Sequence, residues 1–277
     1  MTRIFRSIHR LMHGVAAGLS LALLCTGPAA AEEFDCLIEA AQTVEVRSPA
    51  AGLLQTVHVR RGEAVRRGQL LVSIESSVEQ SAASTARFRA QAQGGLELAR
   101  QKVLALREKA RRMNELQAEE FVAPQAAEDI RAELKLAEAE LKSAEENAEL
   151  ARLEHRQAED QLKRRQIHSP FNGVVVDQYL YPGALVDGGE GRKPILKIAQ
   201  TDPLAVQALL PLRLFPRLKI GQTVSVVPEA PFQTPIAARL RTVDRVVDAA
   251  AGTVGIVADL PNATQRLPAG LRCKLRL

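Results

Sequence analysis

Aromatic residues are scarce in this sequence: they make up 3% of the 277 positions, with no Trp and two Tyr. Single-stranded nucleic acids and sugars are bound largely by stacking on aromatic faces, so both ligand classes lose their usual platform. An excess of one charge is also missing once the first residues are set apart. Arg3, Arg6 and Arg10 supply much of the formal charge of +5, and without them 34 Lys and Arg face 32 Asp and Glu. That balance gives a nucleic acid no electrostatic purchase. Of three Met, only Met113 lies beyond residue 12, which argues against methionine-rich copper or silver sites. No Ser/His/Asp or Cys/His arrangement stands out, and Gly188-Gly189-Glu190-Gly191 lacks the strand-to-helix context of a nucleotide loop. His58 and His168 fall in or beside strand-like runs with no Cys or His at ligand spacing, so they read as structural. The sequence therefore predicts no catalytic residue, no cofactor and no metal.

Long apolar runs are nearly absent too. One extends from Gly14 to Cys25, behind the three arginines and ahead of Ala29-Ala30-Ala31. This order reads as a secretory signal peptide (1–31) cleaved before Glu32, since the run is shorter than the roughly 20 residues that span a bilayer. Cys25 follows Leu24 rather than a small residue, which excludes lipidation. Localisation in the periplasm, associated with the envelope, is the consequence. Two cysteines then remain, Cys36 and Cys273, in an oxidising compartment. They form either a disulfide, if the chain ends meet, or two separate buried thiols.

What the sequence does have is a repeat with distant copies. Val46-Arg47-Ser48-Pro49-Ala50-Ala51-Gly52-Leu53-Leu54 returns as Ile167-His168-Ser169-Pro170-Phe171-Asn172-Gly173-Val174-Val175. At the same offset Gly62 and Val65 map onto Gly183 and Val186. Each copy ends in a strand-like run, Leu70–Ile74 and Pro194–Ile198, the second reached through a longer loop, Asp187–Lys193. Short β-prone runs alternate with glycine turns; Gly52 and Gly173 are expected to adopt backbone conformations closed to other residues, and Gly62 and Gly183 to punctuate the next reversal. One copy cannot bury its apolar face alone, whereas two packed together form a small β-sandwich.

Between the copies, Ile130, Leu134, Ala137, Leu141, Ala144, Ala148, Ala151, His155, Ala158 and Leu162 step alternately by four and three, the pattern of a coiled-coil seam. Ala92, Leu96, Ala99, Val103, Leu106, Ala110 and Met113 step likewise. His155 reads as a tolerated polar seam residue. Pro124 disfavours helix just before it, so 77–166 reads as an antiparallel hairpin turning near Phe121, with arms of about 60 Å at ~1.5 Å per residue. Gly94-Gly95 predicts a bend in the first arm. From residue 200 the pattern changes to short strands, Leu204–Leu210, Thr223–Val227, Arg239–Val243, Thr253–Val257 and Leu271–Leu275, with a short helix over Leu212–Leu218; this spacing suggests a small β-barrel.

Ser-Pro-x-x-Gly with a Gly-x-x-Val turn resembles the half-motif of biotinyl and lipoyl domains, but no lysine occurs in the stretch that would carry the modification. Together with Leu218–Val224, Asp248–Val254 and Leu267–Leu271, the order of features resembles HlyD-like membrane fusion proteins. The fold class implied is mixed α and β, elongated and multi-domain: a split lipoyl-like β-sandwich (44–76 and 167–199), a long antiparallel α-helical coiled-coil hairpin (77–166) and a small β-barrel (200–277). Residues 32–43 are expected to add a strand to the barrel, which would bring Cys36 toward Cys273.

The resemblance implies a periplasmic adaptor that forms a trimer or hexamer and links an inner-membrane transporter to an outer-membrane channel of the TolC type. At the hairpin tip it assigns Arg112 as a hydrogen-bond donor to the channel and Leu116 as an apolar contact; where many such adaptors have serine, this chain has Ala123. The sequence stops at Leu277 directly after the expected barrel, so a short form without an evident membrane-proximal domain is expected, with the transporter class open. A periplasmic scaffold or chaperone of the same fold, or a lipoyl or biotinyl carrier subunit, are the competing readings. The seam register makes a direct prediction: Leu106→Asp places a charge in the helical contact and should lower stability by about 1–3 kcal/mol, seen as lost ellipticity at 222 nm and a lower melting temperature.

Overall fold

The computed structural model describes residues 32–187 and 193–277. The proposed signal peptide and the central part of the Asp187–Lys193 loop lie outside the described residues. Among the described residues no helix is long and apolar enough to cross a membrane. The chain begins with β1 (Glu33–Val46), then β2 (Gly52–Val57), β3 (Ala64–Val65) and β4 (Leu70–Ile74). Three helices follow, α1 (Ser77–Gln91), α2 (Gly94–Ala118) and α3 (Pro124–Lys163). The second repeat copy supplies β5 (Gln166–His168), β6 (Gly173–Gln178), β7 (Leu185–Val186) and the start of β8 (Leu196–Pro211). A 3-10 helix, Leu212–Arg217, leads to β9 (Thr223–Pro228), β10 (Ile236–Val243), β11 (Thr253–Leu260) and β12 (Leu271–Arg276).

The two repeat copies exchange strands. Residue i of the first matches residue i + 121 of the second, as with Gly52 and Gly173. Gly52 lies opposite Val186 in the β2–β7 pair, and Gly173 lies opposite Val65 in the β6–β3 pair, so each contact has its mirror partner. Single hydrogen bonds obey the same exchange: Gly62 N donates to Val175 O and Gly183 N to Leu54 O, both at 2.8 Å. The sandwich is thus pseudo-two-fold, and its core draws Val46, Leu54, Val65, Leu71, Val72 and Ile74 from one copy and Phe171, Val175, Val186, Ile195, Leu196 and Ile198 from the other. Neither set is buried without its counterpart, the geometric form of the rule that one apolar face needs a second.

Conserving the Ser and Gly of the half-motif has distinct physical reasons. Ser48 and Ser169 are both buried, and each hydroxyl donates to the carbonyl two residues on, Ala50 O and Phe171 O. Gly62 and Gly183 turn the chain at φ of 85° and 92°, as expected. Gly52 and Gly173 differ from expectation. Neither has a positive φ; each instead leaves room for a neighbour, because a Cβ at Gly52 would come within 2.7 Å of Arg165 Nη1 and one at Gly173 would overlap the Ala199 carbonyl. Space, not dihedral freedom, fixes these two glycines.

The barrel is closed. β1 pairs with β12, β12 with β9, β9 with β10, β10 with β11, β11 with β8, and β8 returns to β1, all antiparallel. Closure leaves no free edge among these strands. Their alternating inward residues, including Ile38, Val206, Leu210, Val226, Leu240, Ile256 and Leu275, make a second core. β1 and β8 are longer than the sequence pattern suggests: the boundaries drawn at 43/44 and 199/200 fall inside continuous strands, which also carry Val46, Leu196 and Ile198 into the sandwich. The two bodies therefore share a two-stranded ribbon. Its neck is a bulge, where β8 advances from Gln200 to Leu204 while β1 moves from Gln42 to Ala40. Buried Asn262 satisfies that irregular backbone, donating to Thr201 O at 3.0 Å and to Leu267 O at 2.9 Å.

Helices α1 and α2 both pack along α3. The stepping positions line the contact: Leu96, Val103, Ala110, Ile130 and Ala137 are buried, while Leu106, Met113, Leu134, Leu141, Ala144 and His155 are half-buried. Ala92 is the exception; it is exposed in the break between α1 and α2, which falls just before the Gly94-Gly95 pair. Lys102–Glu140 at 2.6 Å, Arg107–Glu138 at 2.9 Å and Lys109–Glu133 at 3.4 Å tie α2 to α3 with rising numbers on one helix and falling numbers on the other, the register of antiparallel neighbours. Such half-exposed pairs add little stability each, so they select register more than they hold the helices together.

The two kinds of glycine give opposite predictions. Gly94, in an ordinary conformation with open space at its Cβ position, should tolerate Ala or gain about 0.5–1 kcal/mol. Gly173→Ala should lose about 2 kcal/mol or more by forcing β6 from β8. Urea unfolding of the two variants measures both.

Candidate functional site

α2 ends and the chain reverses within a few residues. Phe121 N donates to Leu116 O at 2.9 Å and Glu120 N to Gln117 O at 3.1 Å, while Glu120 takes φ 61°. This is the Schellman closure, with a glutamate where glycine is the usual occupant. Pro124 opens α3 at its first position, and Ala123 before it is extended at φ −65°, ψ 144°, as a residue preceding proline prefers. Arg131 on α3 holds the arms together near the tip, donating to Asn114 Oδ1 at 2.7 and 3.0 Å and to Gln117 Oε1 at 3.1 Å.

On this base the structure sets out the three tip residues named from the sequence. Arg112 and Leu116 are one helical turn apart and both exposed, and Ala123 is exposed at the N-cap of α3. Neighbouring Arg111 is committed within its own helix, bonding Glu108 Oε1 at 2.7 Å and Glu115 Oε1 at 2.8 Å. Those carboxylates raise its pKa and it in turn holds Glu108 below the usual carboxylate range. Arg112 makes no ion pair among the described residues and acts on Glu108 only through longer-range attraction, whereas Arg111 is bonded to both Glu108 and Glu115. Sequence reasoning missed Phe121 as a surface: it served only to place the turn, yet the residue is 74% exposed, and Leu116, whose carbonyl accepts its backbone N–H, is 41% exposed. The signal was present, since a large apolar residue in a tight reversal has no core to enter.

Cys36 and Cys273 face each other across β1 and β12 and are joined by a disulfide, with Cα atoms 4.8 Å apart at a sequence separation of 237. Ion pairs follow on the neighbouring rungs, Lys274 to Asp35 at 2.6 Å and Arg276 to Glu33. The Lys274 ammonium holds the Asp35 carboxyl below its ordinary value, and the carboxylate raises Lys274. Outside this ladder an open groove of about 950 Å³ runs over β1, β8 and β11, lined by Leu37, Leu209, Val257, Asp244 and Arg272 among others.

No group of three or more His, Cys, Asp or Glu fit to hold a metal occurs among the described residues. His58 is bonded to Ser73 Oγ at 2.8 Å and His155 lies 3.5 Å from Glu159, the one a strand contact and the other a helix-face pair. The arrangement offers surfaces for binding: an exposed apolar and cationic tip, and a two-core body behind it.

Comparison with known proteins agrees with this architecture. The family model of the CzcB-like barrel-sandwich hybrid domain matches residues 42–199. The multidrug resistance protein MdtA of Photorhabdus laumondii is 27% identical over 231 residues, covering 81% of this chain and 54% of that one. The chain spans about half the length of the curated relatives it matches. Among solved structures, MacA from Actinobacillus actinomycetemcomitans superposes with a TM-score of 0.71 at 21% identity, over 88% of this chain and 78% of its own. The membrane fusion protein Spr0693 from Streptococcus pneumoniae does so with a TM-score of 0.61 at 18% identity, over 88% and 97%. These likenesses establish the fold.

The tip geometry predicts the effect of one substitution. Ala123 occupies an N-cap with no side-chain bond, so Ala123→Ser should stabilise the start of α3 by about 0.5–2 kcal/mol. Slower amide exchange at residues 125 and 126 measures it.

Proposed function

Because the chain belongs to the CzcB-like barrel-sandwich hybrid family, we propose that it is a periplasmic adaptor of a bacterial efflux or secretion system. In this reading it links an inner-membrane transporter to an outer-membrane channel and acts as a binding scaffold without catalytic chemistry. The observation that carries it is the interruption of one strand-exchanged sandwich by a long helical excursion that ends in an exposed tip. A sandwich gains nothing in stability from such an insertion, so its length is explained by reach. The likeness to a multidrug resistance protein and to a membrane fusion protein supports the same reading.

In mechanistic terms, 77–166 is a coiled-coil hairpin that carries Arg112, Leu116 and Phe121 outward to the channel. Arg112 donates to acceptor groups there, and Leu116 with Phe121 supplies the apolar contact. The sandwich halves at 44–76 and 167–199 and the barrel at 200–277, completed by 32–43, form the stacked layers of a ring of copies around a conduit. The Cys36–Cys273 disulfide forms after export through a cleaved signal peptide, and non-reducing mass spectrometry of the mature protein should recover the linked peptides as one species.

Photo-crosslinking from position 121 in the native envelope tests the docking role: the expected product contains an outer-membrane channel. Leu116→Asp should abolish that product and substrate export while leaving the melting temperature within about 1 °C, as befits an exposed site. Recovery of neither a channel nor a transporter from any tip position would favour an envelope scaffold or chaperone of the same fold.

A further inference from the structure

The helical pair meets the sandwich through two short connections, Ile74 to Ser77 and Lys163 to Gln166. Arg165 occupies the second of them and reaches across to the first. Its Nη1 donates to Ala51 O at 2.5 Å in the turn before β2, and its Nη2 donates to Glu79 Oε1 in the first turn of α1. Its backbone carbonyl accepts from Ile74 N at 2.8 Å. One residue therefore touches the root of α1, the exit of α3 and the first sandwich half.

Two further observations set this contact apart. The Arg165 and Glu79 side chains are each 18% exposed, and among the described residues no other ion pair has both members below a third. Partial burial strengthens the attraction relative to a solvated pair and leaves either charge costly to strand alone. The guanidinium also occupies the space that Gly52 leaves by having no Cβ. At the pseudo-equivalent Gly173 that space is filled by backbone, the Ala199 carbonyl. The two copies thus diverge at this point, and the first admits at Gly52 a side chain from the base of the helices. Glu75, whose carboxylate accepts from Ser77 N at 2.8 Å, caps α1 beside it and lies within Coulombic reach of Arg165.

We propose that Arg165 is the positioning residue that fixes the angle between the helical pair and the sandwich, bridging Glu79 and the Ala51 carbonyl through the space opened by Gly52. The inference goes beyond the adaptor reading and holds whatever the tip contacts. Leverage makes the contact consequential: α3 has 40 residues, about 60 Å at ~1.5 Å per residue, so a 10° rotation at the root moves the tip by about 10 Å.

The test uses the full mature chain with nitroxide labels at Arg66→Cys in the sandwich and Glu145→Cys on α3, read by pulsed dipolar spectroscopy. A control pair, Gln101→Cys with Glu145→Cys, reports on the helices alone. In the parent the sandwich-to-helix distance distribution should be narrow. Arg165→Ala should widen it at least two-fold, Arg165→Lys should give an intermediate width, and the control pair should not change. If Arg165→Ala fails to fold, Glu79→Gln, which removes the ion pair and leaves the sandwich intact, should widen the distribution in the same way. Unchanged width in the folded variants, or equal widening in the control pair, would overturn the proposal, and neither outcome depends on the protein having a transport partner.

Discussion

Strand exchange between the two repeat copies is the constraint on which the rest of the chain depends. Because Gly52 pairs with Val186 while Gly173 pairs with Val65, neither copy can close before the other has arrived. Everything between them must therefore leave and come back. An excursion that returns to its starting point is most simply two helical arms of equal length, and 77–118 against 124–163 satisfies that condition. The pseudo-two-fold also settles where the excursion and the barrel attach. The first copy is entered by β1 and left by β4; the second is entered by β5 and left by β8. Exchange of the copies maps one pair of connections onto the other, so helices and barrel occupy symmetry-related positions on the sandwich and do not compete for one surface.

Much of this was legible in the sequence, and the residues show why. The repeat offset identifies paired strands because symmetry makes one copy's partner readable from the other. The four-and-three stepping finds the helical contact because its period is local, and His155 is half-buried there like its neighbours. Strands β9 to β12 are found to within three residues by their alternation. What local pattern does not carry is the identity of distant neighbours. Gly52 and Gly173 look like turn glycines, yet the Arg165 guanidinium and the Ala199 carbonyl are what exclude a side chain there. Arg165 falls between a seam and a strand, so no period includes it. Continuity of β1 and β8 across two bodies was likewise hidden, because a composition change at residue 200 marks a change of surroundings without any break in the strand.

The tip follows a similar division. Pro124 and Phe121 place the reversal from sequence alone, but the left-handed Glu120 and the uncapped Ala123 become visible only with the backbone. Residues 112, 116 and 121 are each exposed, and the Schellman closure returns the Phe121 backbone to the last turn of α2.

The ribbon between barrel and sandwich has a mechanical consequence. Both β1 and β8 cross the neck as unbroken chain, so tension between the two bodies is carried by covalent backbone and no ladder hydrogen bond must open to bear it. Bending meets a different resistance. At the bulge between Ala40 and Gln42 the ladder lapses, and the Asn262 contacts to Thr201 and Leu267 are what stiffen it. The joint thus carries pull through covalent chain from one body to the next, and its resistance to bending rests on side-chain contacts at the bulge in place of a regular ladder.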